Sequence, residues 1–276
     1  MAKGGEFMKR FDATSLRRTI LDMAYSGATV HIGCAFSIVE ILAVLYRNHL
    51  RFDPADLESM TRDYMVLSKG HGVMAQYACL RELGVLSADD IGQYFGDGTR
   101  LKGLADVHVP GVEATTGSLG HGLSVAAGLA LAARLRQSKQ RAFALVGDGE
   151  LNEGSIWEAV MFAAQFKLDN IVILVDENGF QAMGTTDEVM SLGSIQRKFE
   201  AFDCEVLSVD GHDELALDEA LTRLLGNADG RPKVLVAKTV KGKGVSFMEN
   251  DNAWHYTRLK SDTYAAALAE LGGEKV

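Results

Sequence analysis

Asp148 lies between Gly147 and Gly149, and Asn178 follows thirty residues later in a second turn, Asn178-Gly179-Phe180. A carboxylate, an amide oxygen and a free backbone carbonyl near Phe180 together suit a hard cation such as Mg²⁺. That ion takes octahedral oxygen at about 2.0–2.1 Å and completes its shell with phosphates and water. Gly147 and Gly149 tolerate the positive φ of a tight turn and let a diphosphate approach the backbone. A helix opening at Glu153 and Gly154 adds a dipole that favours anions. His31 sits in a loop, Thr29-Val30-His31-Ile32-Gly33, and His71 sits between Gly70 and Gly72. A histidine flanked by glycines at a strand end is placed for ligand contact rather than core packing.

The elements that must hold these groups are readable around them. Ala142–Val146 is a short apolar run ending at Gly147. Ile156, Val160 and Ala163 recur at helical spacing, and Ile171–Val175 is a continuous β-branched and leucine run. Such a run is buried on both faces. The unit is βαβ, so its strands should be parallel, with ligands off their carboxyl ends. Further strands are expected at 64–67, 205–209 and 234–239, and helices at 12–28, 36–50, 73–83, 123–137, 214–225 and 261–271. Ser37 and Glu40 have the spacing of a capping box, Ser87 should cap a short helix, and Asp213 should cap the helix at 214. The class is α/β: a mostly parallel sheet with helices on both faces.

Thr116-Gly117-Ser118-Leu119-Gly120-His121-Gly122 is a glycine-rich loop feeding the Ala- and Leu-rich helix at 123. Its small residues permit close approach by a flat heterocycle or a neighbouring subunit. Lys241-Gly242-Lys243-Gly244 reads equally as a phosphate loop or as a solvated lysine turn. The chain has 276 residues, 47% of them hydrophobic and 24% charged, with a net charge of -9. The absence of a Lys/Arg block argues against nucleic acid or an anionic membrane as partner. No apolar run approaches the ~20 residues of a membrane span. Cys34, Cys79 and Cys204 are isolated, which suits buried reduced thiols in a cytoplasmic protein. Residues 1–7 read as a tag or linker, and residues 8–276 as one domain.

The strings GDGELNEGSIWEA and NIVILVDENGFQ, with LSKGHG and PGVEATTGSLGHG, resemble the transketolase family, especially its split form, in which the first half is a separate chain. The resemblance covers roughly residues 12–260. It implies the thiamine diphosphate-binding fold, diphosphate-binding domain. It implies thiamine diphosphate with Mg²⁺ on Asp148, Asn178 and the Phe180 carbonyl. It also implies His71 on the diphosphate, Gly117 and Leu119 beside the thiamine, His31 facing the substrate, and His255 close to the cofactor. The activity implied is transfer of a two-carbon ketol unit between sugar phosphates.

The family's activating glutamate and its sugar-phosphate arginines belong to a pyrimidine-binding region. The expected partner is therefore a separate C-terminal, pyrimidine-binding transketolase subunit, in an α2β2 assembly, with a homodimer of this chain alone as the alternative. Glu153 is either a residue coupling to the partner's glutamate or simply a first-turn helix glutamate. Leu104 takes the place of the histidine in the family's GHP segment, and His108 could compensate if the loop shifts. Two other readings stand beside this one: the α-subunit of a 2-oxoacid dehydrogenase E1 component, which also carries GDG and Asn on a separate chain, and a non-catalytic interaction protein of the same fold.

Overall fold

The computed structural model describes residues 11–272. The expected tag at residues 1–7 lies outside them. Five strands form one parallel sheet: β1 (Tyr64–Leu67), β2 (Ala142–Gly147), β3 (Ile171–Glu177), β4 (Glu205–Asp210) and β5 (Lys233–Lys238). Their order across the sheet is β1-β2-β3-β5-β4, and every adjacent pair is parallel.

Strand periodicity sorts the side chains into two cores. In register, Leu67, Leu145, Leu174, Leu235 and Leu207 form a row of five leucines across one face. One residue back, Val66, Ala144, Ile173, Val234 and Val206 form the row on the other face. Both faces are buried, which is why β2 and β3 are apolar without alternation. The leucine face shares one core with α1 (Ala13–Ser26), α2 (Ile32–Phe36), α3 (Val39–Val44), α4 (Val73–Glu82) and two later helices, α10 (Glu214–Gly226) and α11 (Ser261–Glu270). The valine face packs against α6 (Gly122–Leu135), α7 (Gly154–Gln165) and α9 (Ile195–Ala201). Short helices α5 (Ala88–Gly92) and α8 (Thr186–Met190) lie in the connections. Truncating a central leucine such as Leu145 to alanine removes a fully buried side chain, at a cost of about 2–5 kcal/mol.

Helix starts follow local chemistry. Asp12 accepts from Ser15 N at 2.8 Å, Ser87 and Asp90 form a capping box, and Asp213 accepts from Leu215 N and Ala216 N. The expected Ser37–Glu40 capping box does not form. Ser37 closes α2, and its hydroxyl donates to Asp176 Oδ2 at 2.8 Å, with Cys34 O 3.2 Å away. Glu40 turns instead to Arg17 and His212. Buried charged partners outcompete a cap worth about 1 kcal/mol. The 36–50 segment is likewise not one helix. It runs from α2 through α3 into a wider turn at Leu45–His49, and the expected loop ends earlier because α2 begins at Ile32.

Candidate active site

A cavity of about 320 Å³ opens off the carboxyl ends of the central strands. The parallel sheet delivers one segment from each: Ser68-Lys69-Gly70-His71 after β1, Asp148-Gly149 after β2 and Asn178-Gly179-Phe180 after β3. His31, His71, Gly117, Leu119 and Gly147 line the cavity, as do Asp148, Gly149, Asn178, Phe180 and His255. The structure thus brings together ten residues scattered over more than two hundred positions of sequence.

The floor of the cavity is an ordered set of charges. Asp148 accepts from Gly149 N at 2.8 Å through Oδ1 and from Gly179 N at 2.6 Å through Oδ2. Burial, and then the neighbouring Asp176 carboxylate, push its pKa up to about 7. Asp176 is fully buried and accepts from Lys69 Nζ at 2.5 Å, Ser37 Oγ at 2.8 Å and the Thr239 hydroxyl. Burial alone would raise the Asp176 pKa, but Lys69 and these donors hold it below the usual carboxylate range. Asn178 Nδ2 also donates to Asp176 Oδ2, at 2.7 Å. That bond fixes the amide so that its oxygen, which accepts from Phe180 N at 3.0 Å, keeps a lone pair for a ligand. The Phe180 carbonyl accepts no backbone hydrogen bond among the described residues. A buried carboxylate held at high energy beside an oriented amide oxygen and a free carbonyl is a donor set that fits a hard cation.

Three histidines form the opposite wall. The ring centroids of His31 and His71 are 5.2 Å apart, those of His31 and His255 5.2 Å, and those of His71 and His255 5.6 Å. Burial and nearby lysines lower His31 to about 4 and His255 to about 3, and hold His71 well below its ordinary value. All three are neutral near pH 7, each with one N–H and one lone pair. Lys241 Nζ donates to His255 Nδ1 at 2.9 Å. An ammonium cannot accept, so the His255 proton sits on Nε2. His31 is held in the left-handed region at φ 70°, with its N–H donating to His255 O at 2.9 Å. Non-glycine residues in that region are strained, and such strain concentrates at functional sites.

The glycine-rich loop closes the cavity from above. Gly117 has φ 147°, and a Cβ there would meet Leu104 Cδ1 at 2.7 Å. Leu104 lines the cavity, whereas the His108 side chain is 89% exposed and bonds Asp106. His108 therefore does not take up the place of the missing histidine. Glu153 is exposed and does not line the cavity. It flanks α7, its side chain caps nothing, and it abuts Gly120.

Several residues of the site escaped sequence reasoning. Glu150 is buried and accepts from Ser68 Oγ at 2.5 Å, Gly120 N at 2.8 Å and Gly147 N at 3.1 Å, so it ties the glycine-rich loop to β1 and β2. A charged residue straight after a Gly-Asp-Gly turn was the available signal. Lys69 lies within the LSKGHG string, whose pattern gives no sign of its buried bond to Asp176. Lys241, half-read as a solvated turn, is 1% exposed and bonds Asn252 Oδ1 at 2.7 Å as well as His255. Cys34, Cys79 and Cys204 are free and buried, and Cys34 lines the cavity. No helix among the described residues is long and apolar enough to cross a membrane.

Residues 10–275 match the family model described as transketolase, thiamine diphosphate binding domain. The chain is 43% identical over 264 residues to one of the subunits of apulose-4-phosphate transketolase from Actinobacillus succinogenes, covering 95% of each chain. It is 37% identical over 263 residues to the SqwG subunit of 6-deoxy-6-sulfo-D-fructose transketolase from a Clostridium species, again covering 95% of each. The structure superposes on transketolase from Campylobacter jejuni with a TM-score of 0.91 at 28% identity, over 98% of this chain and 43% of that one. The chain therefore spans less than half the length of that solved enzyme. The chain belongs to the transketolase family and carries its thiamine diphosphate-binding domain.

Proposed function

We propose that this chain is the diphosphate-binding subunit of a two-chain, cytoplasmic transketolase that moves a two-carbon ketol unit between sugar phosphates. The single observation that carries the proposal is the convergence of Asp148, Asn178 and three neutral histidines on one cavity at the strand ends. Relatives of matching length are named as subunits, and the family match is to transketolase rather than to a 2-oxoacid dehydrogenase. An intact set of oxygen donors argues against a non-catalytic relic.

Thiamine diphosphate supplies a stabilised carbanion that can carry a two-carbon unit. In this chain Asp148, Asn178 and the Phe180 carbonyl would hold Mg²⁺, and Gly147, Gly149 and His71 would receive the diphosphate. Gly117 and Leu119 present a small and an apolar surface to the heterocycle. His31 would face the sugar, with His255 close to the cofactor, each offering a neutral imidazole that can donate or accept a hydrogen bond at the hydroxyls and carbonyl of the substrate. Lys241, through its bond to His255 Nδ1, directs the His255 Nε2 proton away from itself and toward the cavity. Asp176 and Lys69 hold Asn178 and the cavity floor in place from beneath.

Domain boundaries at residues 8–276 and a separate pyrimidine-binding partner complete the reading. The partner would supply the activating glutamate, with exposed Glu153 facing it across the interface. The α6–α7 surface suits association into α2β2, because Val125, Met161, Phe162 and Phe166 are all exposed there. The test is calorimetric titration of thiamine diphosphate and Mg²⁺ into this chain alone and into a mixture with the adjacent-gene product, followed by a transfer assay on ketose phosphates. Binding that tightens in the mixture, with transfer activity, is expected. No binding in either sample would sink the proposal.

A further inference from the structure

We infer that the cavity on the far side of His31 and Leu104 is a second subsite that seats the phosphate-bearing end of the sugar substrate, with Lys102 and Arg258 as its anion contacts; the inference rests on the transketolase reading above. This cavity holds about 420 Å³ and adjoins the cofactor cleft, since His31 and Leu104 line both. Val30, Tyr94, Phe95 and Leu104 give it apolar walls. Among the described residues its only charged lining groups are Lys102 and Arg258, and no aspartate or glutamate lines it.

Both cations are tethered but electrostatically uncompensated. Arg258 Nε donates to Ala28 O at 2.7 Å, and Lys102 Nζ donates to Thr99 O at 2.6 Å. Among the described residues neither forms an ion pair, and the terminal nitrogens of Arg258 make no hydrogen bond. A guanidinium held by one nitrogen keeps its planar fork free for bidentate contact with a tetrahedral oxyanion. In a chain of net charge -9, a cavity with two cations and no carboxylate is a local attractor for anions. The apolar walls suit a carbon skeleton, and the cations suit the group at its end.

The position also accounts for Leu104. A histidine there would present a polar edge to both cavities, whereas leucine gives an apolar ridge between the reacting end of the substrate at His31 and its anionic end. The chain thus contributes its own phosphate contacts, beyond any that a partner supplies.

The test is calorimetric titration of ribose 5-phosphate, and separately of ribose, into the full chain saturated with thiamine diphosphate and Mg²⁺. Wild-type protein is compared with the Lys102→Gln/Arg258→Gln double variant. Both side chains are exposed, so the variant should fold, and its thermal unfolding is recorded alongside. Ribose 5-phosphate should bind wild type at least tenfold more tightly than the variant, while ribose binds weakly to both. Equal affinity of ribose 5-phosphate for the two proteins, or no binding to wild type, overturns the subsite. The transfer assay on the assembled enzyme separates the two readings. Phosphate-dependent binding without transfer activity sinks the transferase reading and keeps the subsite; transfer activity with an unchanged KM for sugar phosphate in the variant does the reverse.

Discussion

Lys69 Nζ lies 2.5 Å from Asp176 Oδ2, in a pair whose side chains are 2% and 0% exposed. Beneath the cleft this pair joins the end of β1 to the end of β3, two strands that do not touch in the sheet. Removing one partner leaves a buried charge without a counter-ion. Lys69→Met should therefore lower stability by about 3–5 kcal/mol, and Asp176→Asn, which keeps some hydrogen bonds, by less. In the double variant the losses should be clearly less than additive. Urea unfolding of the four proteins measures the coupling; simple additivity would mean that the two groups do not stabilise each other.

Asp148 differs because, among the described residues, it forms no ion pair, and Lys69 acts on it only through space. Two backbone N–H groups orient its carboxylate, and Asp176 repels it. Asp148→Ala should abolish Mg²⁺-dependent binding of thiamine diphosphate while leaving the fold in place, as read by calorimetry beside circular dichroism. Unchanged affinity would remove the metal assignment.

The architecture was legible where periodicity is strong. Val66, Ala144, Ile173 and the leucine row come from short runs, apolar and β-branched in β2 and β3, that read as strands by length and composition, and the glycine-flanked Asp148 and His71 mark the strand ends. Asp176 was not legible. It sits at the end of an apolar strand, and its partners Ser37, Lys69 and Thr239 come from three distant segments. No local pattern connects them, and Ser37 carried a competing cap signature. Glu150 was hidden for a similar reason, because its donors Ser68, Gly120 and Gly147 meet only after the sheet forms. Local signals locate ligands; the charges that orient them depend on tertiary approach.

Glu40 gives a pH prediction away from the cleft. Arg17 Nη1 and Nη2 donate to its two oxygens at 2.7 and 2.8 Å, and His212 Nδ1 lies 2.9 Å from Oε2. Val240 N donates to His212 Nε2, so the Nδ1 nitrogen carries the proton. Burial alone would raise the Glu40 pKa, but His212 and Arg17 hold it below the ordinary 4.5. The folded pKa is thus lower than the unfolded one. The stabilisation is fully present above about 4.5 and is lost as pH falls through the folded value. Glu40→Gln should cost about 3–5 kcal/mol at pH 7, and the gap to wild type should narrow below about pH 4. Urea unfolding at both pH values checks this; a gap independent of pH would show that the charge is not what stabilises the contact.

His31 lines the cavity, its ring 5.2 Å from the His71 ring and 5.2 Å from the His255 ring. On the proposed function, its task would be with the substrate rather than with the diphosphate. His31→Ala should reduce turnover by about 10²-fold or more, in the range of positioned acid–base groups, with cofactor affinity changed by less than a few-fold. Steady-state kinetics and thiamine diphosphate titration separate the two effects. The reverse pattern would move His31 out of the substrate site.

Glu153 tests the division of labour between subunits. It is exposed, its side chain makes no cap, and it abuts Gly120 at the entrance to α7. A glutamate at the N-cap position that is favoured only by the helix dipole contributes about 0.3–1 kcal/mol, and its loss would register in this chain alone. A glutamate that couples to the partner would show nothing until the partner is present. Glu153→Gln should leave the unfolding of the isolated chain within about 0.5 kcal/mol of wild type. The same change should lower transfer activity of the assembled enzyme at least tenfold. Full activity in the assembled variant, with a destabilised isolated chain, would reduce Glu153 to a helix-end charge.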